Sequence, residues 1–247
     1  AQRGSQSRRK FQQPSSRYSV KRFSIFSLAR NALTGHRNWE KMWRSPDPRR
    51  EYDVVIIGGG GHGLGAAYFL AKEHGITNVA VLEKGWLGGG NTGRNTMTVR
   101  SNFLREDSVP FHEMSLDLYH QLSRDLNYNL MVSQRGMITF IQSSAANRVA
   151  LQMANTMHIY GAEYRMLTLD EVKQKIPIFD PSPDMRLPVR GGVYQPRASM
   201  VRHDAVAWGF ARAADARGVD IIQNCEVTGI QQEGGAVTGV ETNRGVI

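Results

Sequence analysis

The chain has 247 residues, 40% hydrophobic and 21% charged, which is long enough to bury a real core and too apolar for disorder throughout. Its formal charge of +9 invites a nucleic-acid reading, but 13 Lys and Arg against 2 Asp and Glu fall in the first fifty positions, so the basicity belongs to an N-terminal arm and no nucleic-acid partner is expected. No apolar run reaches the roughly 18 residues of a membrane span, and the single Cys225 excludes an internal disulfide framework and fits a reducing, cytoplasmic setting.

Residues 1–16 are rich in Gln, Arg and Ser and are expected to form a disordered basic arm. Ser7-Arg8-Arg9-Lys10-Phe11 looks like a twin-arginine export signal, yet residues 12–22 are polar where an apolar segment is needed, so export is not expected. The start at Ala1 is read as a fragment or processed end. Residues 17–50 are expected to be a helical extension and linker. Phe23, Ile25, Phe26, Leu28, Ala29 and Leu33 lie at near-helical spacing before Gly35, and Trp39, Met42 and Trp43 repeat the pattern. This basic helix pair is expected to pack on its own domain or a partner, the alternative being a membrane-surface or nucleic-acid element. Ser45-Pro46-Asp47-Pro48-Arg49-Arg50 reads as the linker.

Residues 51–110 are expected to form a dinucleotide-binding βαβ core. Tyr52-Asp53-Val54-Val55-Ile56-Ile57 is a β-branched run stopping at glycine, as for a strand buried on both faces of a parallel sheet. A helix is predicted over residues 63–73, ended near Gly75, and a strand over 79–82. Between them Gly58-Gly59-Gly60-Gly61-His62-Gly63 fits G-x-G-x-x-G, with a tight turn at Gly58, close diphosphate approach at Gly60 and helix-on-sheet packing at Gly63. Gly61 and His62 contribute backbone within the turn. Glu83 follows Gly63 by twenty residues, where a carboxylate accepts from ribose hydroxyls and disfavours a 2′-phosphate. NAD and FAD share this fingerprint. The second glycine-rich stretch, Gly88 to Thr96 with Asn91 and Thr92, is either a surface loop or a track for the longer FAD.

A mixed α/β insertion is expected over 111–200, with helices at 112–125, 145–160 and 169–175 and a strand at 136–141. Five prolines between 177 and 200 argue for loop and edge structure there. Residues 201–247 return to the first domain: a helix over 204–217 with Asp204 as N-cap and Gly218 as terminator, then strands at 219–222, 227–231 and 237–242 around a Gly234-Gly235 turn. His203, just before that helix, is by itself either a solvated end residue or a nucleophile toward an electrophilic flavin, with Arg202 beside it favouring an anionic flavin or phosphate. Arg100 is either a surface arginine or a planar fork for a carboxylate. No metal site is expected.

The runs Val54 to Leu64 and Glu83 to Thr92, and Arg202-His203-Asp204-Ala205-Val206-Ala207-Trp208-Gly209, resemble the beta subunits of heterotetrameric sarcosine oxidases, within the broader D-amino-acid oxidase-like flavoproteins. The resemblance runs from about residue 17 to the end of the chain. It implies an α/β, Rossmann-like FAD-binding domain with the start of a mixed α+β substrate domain, truncated at the C-terminus. It implies noncovalent FAD held by Gly58, Gly60, Gly61, His62, Gly63, Glu83, Lys84, Asn91, Thr92, Thr96, Thr98 and Val227, FMN covalently carried by His203 beside Arg202, and a substrate carboxylate held by Arg100. Alpha, gamma and delta subunits, sarcosine and oxygen are the implied partners, with NAD and tetrahydrofolate elsewhere in the complex. The alternatives are a noncatalytic FAD-binding assembly subunit and a single-flavin oxidase of another secondary or D-amino acid. Because the chain stops at Gly245-Val246-Ile247, before a further strand and glycine motif of such a fold, it is expected to be inactive alone.

Overall fold

The computed structural model describes residues 24–37, 41–103 and 105–247, and the chain divides after Lys41 into two units. In the first, Ile25–Leu33 forms helix α1, capped by the Ser24 side chain accepting from the Ser27 amide. Its apolar residues Ile25, Phe26, Leu28 and Leu33 are exposed. The expected disordered arm, Phe23 and Trp39 lie outside the described residues. In the second unit Met42 and Trp43 are not helical, contrary to the repeat of apolar spacing: Trp43 packs on the main core and Arg44 bonds to Asp215, and these long-range contacts override the local pattern. Residues 45–50 are tied down too, since Arg49 Nε and the Tyr52 hydroxyl both donate to the buried Asp220 carboxylate, at 2.8 and 3.1 Å.

The second unit begins with strand β1 (Val54–Ile57), helix α2 (Gly61–His74) and strand β2 (Val79–Glu83). Helix α2 ends where Gly75 takes φ +69°, a left-handed position open to glycine without strain. A 3₁₀ turn at Asn91–Arg94, strand β3 (Thr98–Val99), a second 3₁₀ turn at Glu106–Ser108 and helix α3 (Val109–Asp125) follow. Then come β4 (Ser133–Gln134), β5 (Met137–Ile141), α4 (Ser144–Ile159), β6 (Arg165–Thr168), α5 (Leu169–Lys175), β7 (Gly191–Gln195) and β8 (Ser199–Met200). Helix α6 (His203–Asp215), β9 (Asp220–Gln223), β10 (Val227–Glu233), β11 (Ala236–Thr242) and β12 (Gly245–Val246) complete the unit.

Strands β1, β2 and β9 form a parallel sheet in the order β1-β2-β9. Side-chain alternation divides its residues between two cores. Val79, Val81 and Ile221 join Leu64, Ala67 and Tyr68 of α2 and Ala207 and Phe210 of α6, so both helices lie on one face. Ala80, Leu82, Ile222 and Cys225 join Val240 and Ile247 on the other, where the antiparallel β10-β11-β12 meander covers the sheet. Each fully buried branched side chain contributes on the order of 2 kcal/mol relative to exposure. Val79 to Leu82 of β2 and Asp220 to Ile222 of β9 are buried, while Glu83 and Gln223 at the strand ends are partly exposed. Strand β1 packs on both faces as expected, Val54 and Ile56 on the first core and Val55 on the second, but as the edge strand of this sheet it is only partly buried and Ile57 is 55% exposed.

Residues 98–200 build two further antiparallel sheets, β5-β7-β6 and β3-β8-β4. Here the proline count misled: β7 is the central strand of its sheet, with Gly191, Gly192, Val193 and Gln195 buried. Pro188 and Pro196 flank it without entering it, so no ladder donor is lost. A Cβ on Gly192 would meet Ile138 Cγ2 at 2.8 Å and Val172 Cγ2 at 3.0 Å, which is why small residues suit a strand lying this close to α5. Among the described residues no helix is long and apolar enough to cross a membrane.

Candidate functional site

The site grows from the C-terminal ends of β1 and β2, where a parallel sheet opens toward ligands. Gly58 leaves β1 at φ +108°, turning the chain into α2. A Cβ on Gly63 would lie 2.2 Å from the Gly58 carbonyl oxygen and 3.2 Å from Ile56 Cγ2, so the first helical turn presses directly on the strand. N-cap Gly60 provides no side-chain cap, so the first turn of α2 has backbone N–H groups without intrahelical partners at its positive dipole end. The Gly61 amide is taken by Thr92 Oγ1 at 2.9 Å, bringing the second glycine-rich stretch onto the first.

Glu83 ends β2 with one carboxylate oxygen accepting from the Gly59 amide and the other from the Gly85 amide, both at 2.8 Å. It therefore staples the phosphate-type turn to the loop that follows β2. That loop is held from β9 as well: Leu87 N–H donates to Gln223 Oε1 at 3.1 Å and Asn224 N–H to the Gly85 carbonyl. Lys84, Asn91, Thr96 and Thr98 are exposed, the last in β3; Val227 opens β10 and packs on the core beneath the sheet. The structure thus brings Gly58 to Gly63, Glu83 and Thr92 into direct contact, while among the described residues the side chains of Lys84, Asn91, Thr96 and Thr98 make no hydrogen bond to that cluster.

Arg100 follows β3. Its Nη1 donates to the carbonyl and side-chain oxygens of Asn102, at 3.1 and 2.7 Å, and its guanidinium lies 4.6 Å from the Phe103 ring centre. Nε and Nη2 have no acceptor among the described residues, so one edge of the fork is open to a planar anion. His112 stacks on Phe103 at 3.9 Å, and burial, with the Arg100 charge second, holds its imidazole pKa below the ordinary value.

Strand β8 runs beside β3, with Thr98 opposite Met200, and leads into Arg202 and His203. Two local expectations change here. His203 is the first residue of α6 rather than its predecessor, and Arg202 is the N-cap in place of Asp204. Asp204 lies in the first turn instead, where its carboxylate pairs with Arg202, whose guanidinium holds it below the usual range, and also accepts from the Ala205 amide at 2.8 Å. His203 Nδ1 is shielded from solvent and has no hydrogen-bond partner among the described residues, an uncompensated polar atom of the kind that a bound group relieves. Farther along α6, Ala207 packs against Gly88 of the second glycine-rich stretch. Sequence reasoning missed Asn102, Phe103 and Gln223; the first two sit beside Arg100, but Gln223 is tied to the site only by the β2–β9 register, which leaves no local signal.

The family model for FAD dependent oxidoreductases, DAO, matches residues 53–247. The chain is 53% identical to sarcosine oxidase subunit beta of Rhizobium meliloti, over 92% of this chain and 54% of that protein. It is 49% identical to sarcosine oxidase subunit beta of Rhodobacter capsulatus, over 92% of this chain and 55% of the relative. Among solved structures, L-proline dehydrogenase from P. horikoshii superposes with a TM-score of 0.74 at 26% identity, covering 81% of this chain and 51% of that one. The chain spans about half the length of the curated relatives it matches.

Proposed function

The chain belongs to the DAO family of FAD-dependent oxidoreductases, and on that premise we propose that the complete protein is the FAD-binding catalytic subunit of a sarcosine oxidase. The observation that carries this reading is the contact cluster of the Gly58 to Gly63 turn, Glu83 and Thr92 at the strand ends, in a chain about half identical to sarcosine oxidase beta subunits.

In this proposal the N–H groups of the first turn of α2 hold the diphosphate of FAD, and the Glu83 carboxylate accepts from ribose hydroxyls with the lone pairs its backbone partners leave free. Asn91 and Thr92 line the path beyond, with Lys84, Thr96, Thr98 and Val227 contributing farther along. FAD supplies a two-electron acceptor for oxidation of the N-methyl carbon. Arg100 presents Nε and Nη2 to the sarcosine carboxylate, which orients the methylamine end away from the guanidinium. His203 holds FMN covalently, with Arg202 near its negative charge, on a surface completed by an alpha subunit; oxygen is the final acceptor. Water hydrolyses the resulting imine, so the products are glycine, peroxide and formaldehyde, unless the one-carbon unit is passed to tetrahydrofolate instead. Gamma and delta subunits and NAD belong to the rest of a cytoplasmic complex.

Absorption of the complete complex and the mass of its denatured subunits test this reading. We expect one noncovalent and one covalent flavin. His203→Ala should remove an FMN-sized mass from this subunit and leave FAD bound; a covalent flavin that persists refutes the attachment site, and a wild-type complex without one points to a single-flavin oxidase. Arg100→Gln should weaken sarcosine binding by about 1.5–3 kcal/mol with FAD retained. Loss of FAD without loss of turnover would point to an assembly role.

A further inference from the structure

We propose that Gln195 and Glu113 are positioning residues for Arg100, a role that rests on the carboxylate reading of that arginine. The chain after Arg100 is irregular and buried: Ser101 is 0% and Asn102 6% exposed. Buried backbone outside regular structure must find partners in side chains. Gln195, itself 1% exposed in the central strand β7, supplies them, its Oε1 accepting from the Ser101 amide at 3.4 Å and its Nε2 donating to Ser101 Oγ.

Ser101 Oγ in turn donates to one carboxylate oxygen of Glu113 on α3. The other oxygen of Glu113 accepts from Arg197, whose second nitrogen reaches Asp117 one helical turn on. A carboxylate this enclosed needs a cation, and Arg197 satisfies it, which leaves Glu113 free to hold the serine. The peptide after Arg100 is thereby anchored both to α3, twelve residues on, and to β7, 94 residues on, while Asn102 steers the guanidinium. With the Ser101 amide and Arg100 Nη1 both held, the directions open to the other edge of the Arg100 guanidinium are restricted.

The experiment uses the complete, FAD-loaded protein and two probes read by flavin absorbance: methoxyacetate, which has the carboxylate and length of sarcosine without its amine, and methoxyacetamide, its neutral amide. Gln195→Met removes both hydrogen bonds at similar volume, and Ser101→Ala is the milder variant should the first fail to retain FAD. We expect the methoxyacetate Kd to rise about tenfold in Gln195→Met and about threefold in Ser101→Ala, with the amide affinity and kcat at saturating sarcosine unchanged. Combining Gln195→Met with Arg100→Gln should cost no more than Arg100→Gln alone, because both act through one contact. Equal weakening of acid and amide, or unchanged methoxyacetate binding in both variants where Arg100→Gln weakens it, overturns the positioning role. If Arg100→Gln itself leaves methoxyacetate binding unchanged, the carboxylate reading fails first and this inference falls with it.

Discussion

The amide of Gly61 donates to the hydroxyl of Thr92 across 31 residues of sequence, at 2.9 Å, so the two glycine-rich stretches form one structure. Thr92→Val keeps the shape and removes the acceptor. We expect it to weaken FAD binding by about 1 kcal/mol, near fivefold in Kd, read from flavin fluorescence on titration of the complete protein. An unchanged Kd would place Thr92 outside the cofactor contact.

Gly63 and Gly61 differ sharply in what a methyl group would meet. At Gly63 it would strike the Gly58 carbonyl oxygen, a backbone atom that cannot rotate away, whereas at Gly61 its nearest neighbour is Thr92 Oγ1 at 3.7 Å. Gly63→Ala should therefore cost about 1–3 kcal/mol of stability and abolish FAD retention, while Gly61→Ala melts as wild type. Thermal unfolding of the pair checks this, and equal melting temperatures would contradict it.

Tyr68 is fully buried between Phe69 and Phe210, with its hydroxyl unpartnered among the described residues. Burial pushes its phenol pKa up. Tyr68→Phe keeps the ring contacts with Lys72 and Arg217 and deletes the unpaired oxygen, so urea denaturation should show a gain of about 1 kcal/mol. A loss would reveal a partner for the hydroxyl, such as a buried water.

His112 gives a pH dependence whose sign is fixed by its depressed pKa. The unfolded chain binds a proton near pH 6.5 and the folded one only lower, so the unfolded state holds more protons in that window. Stability contributed here is complete above pH 6.5 and is lost as pH falls through the folded value. Urea midpoints measured at about pH 7.5 and 5.5 should fall less in His112→Gln than in wild type; equal falls would remove His112 as the cause.

Legibility followed the range of the interactions. Helix α5 was readable to the residue because its ends are local: Thr168 and Glu171 close a reciprocal capping box. The Gly234-Gly235 turn, with both residues at positive φ, was equally plain. The glycine turn and Glu83 were readable because a βαβ unit places them together within thirty residues. What escaped was set by distant partners. Trp43 was drawn from its apparent helix onto the core, and β7 became central through neighbours at 137–141 and 165–168. Gln195 sits in a stretch whose prolines hid the strand, so nothing near it in sequence marked it as Arg100's support.

The order β1-β2-β9 has a kinetic consequence. Its third strand begins at Asp220, 137 residues after β2 ends at Glu83, and everything between must be looped out before β2 gains its second neighbour. Closing so long a loop is entropically costly, and pairings of such sequence separation form slowly. Gln223 and Asn224, which steady the loop after Glu83, arrive with that last strand. On a ribosome the glycine turn emerges well before its far wall, because β9 begins 137 residues after β2 ends, so the nucleotide cradle is completed only after that long segment has followed it.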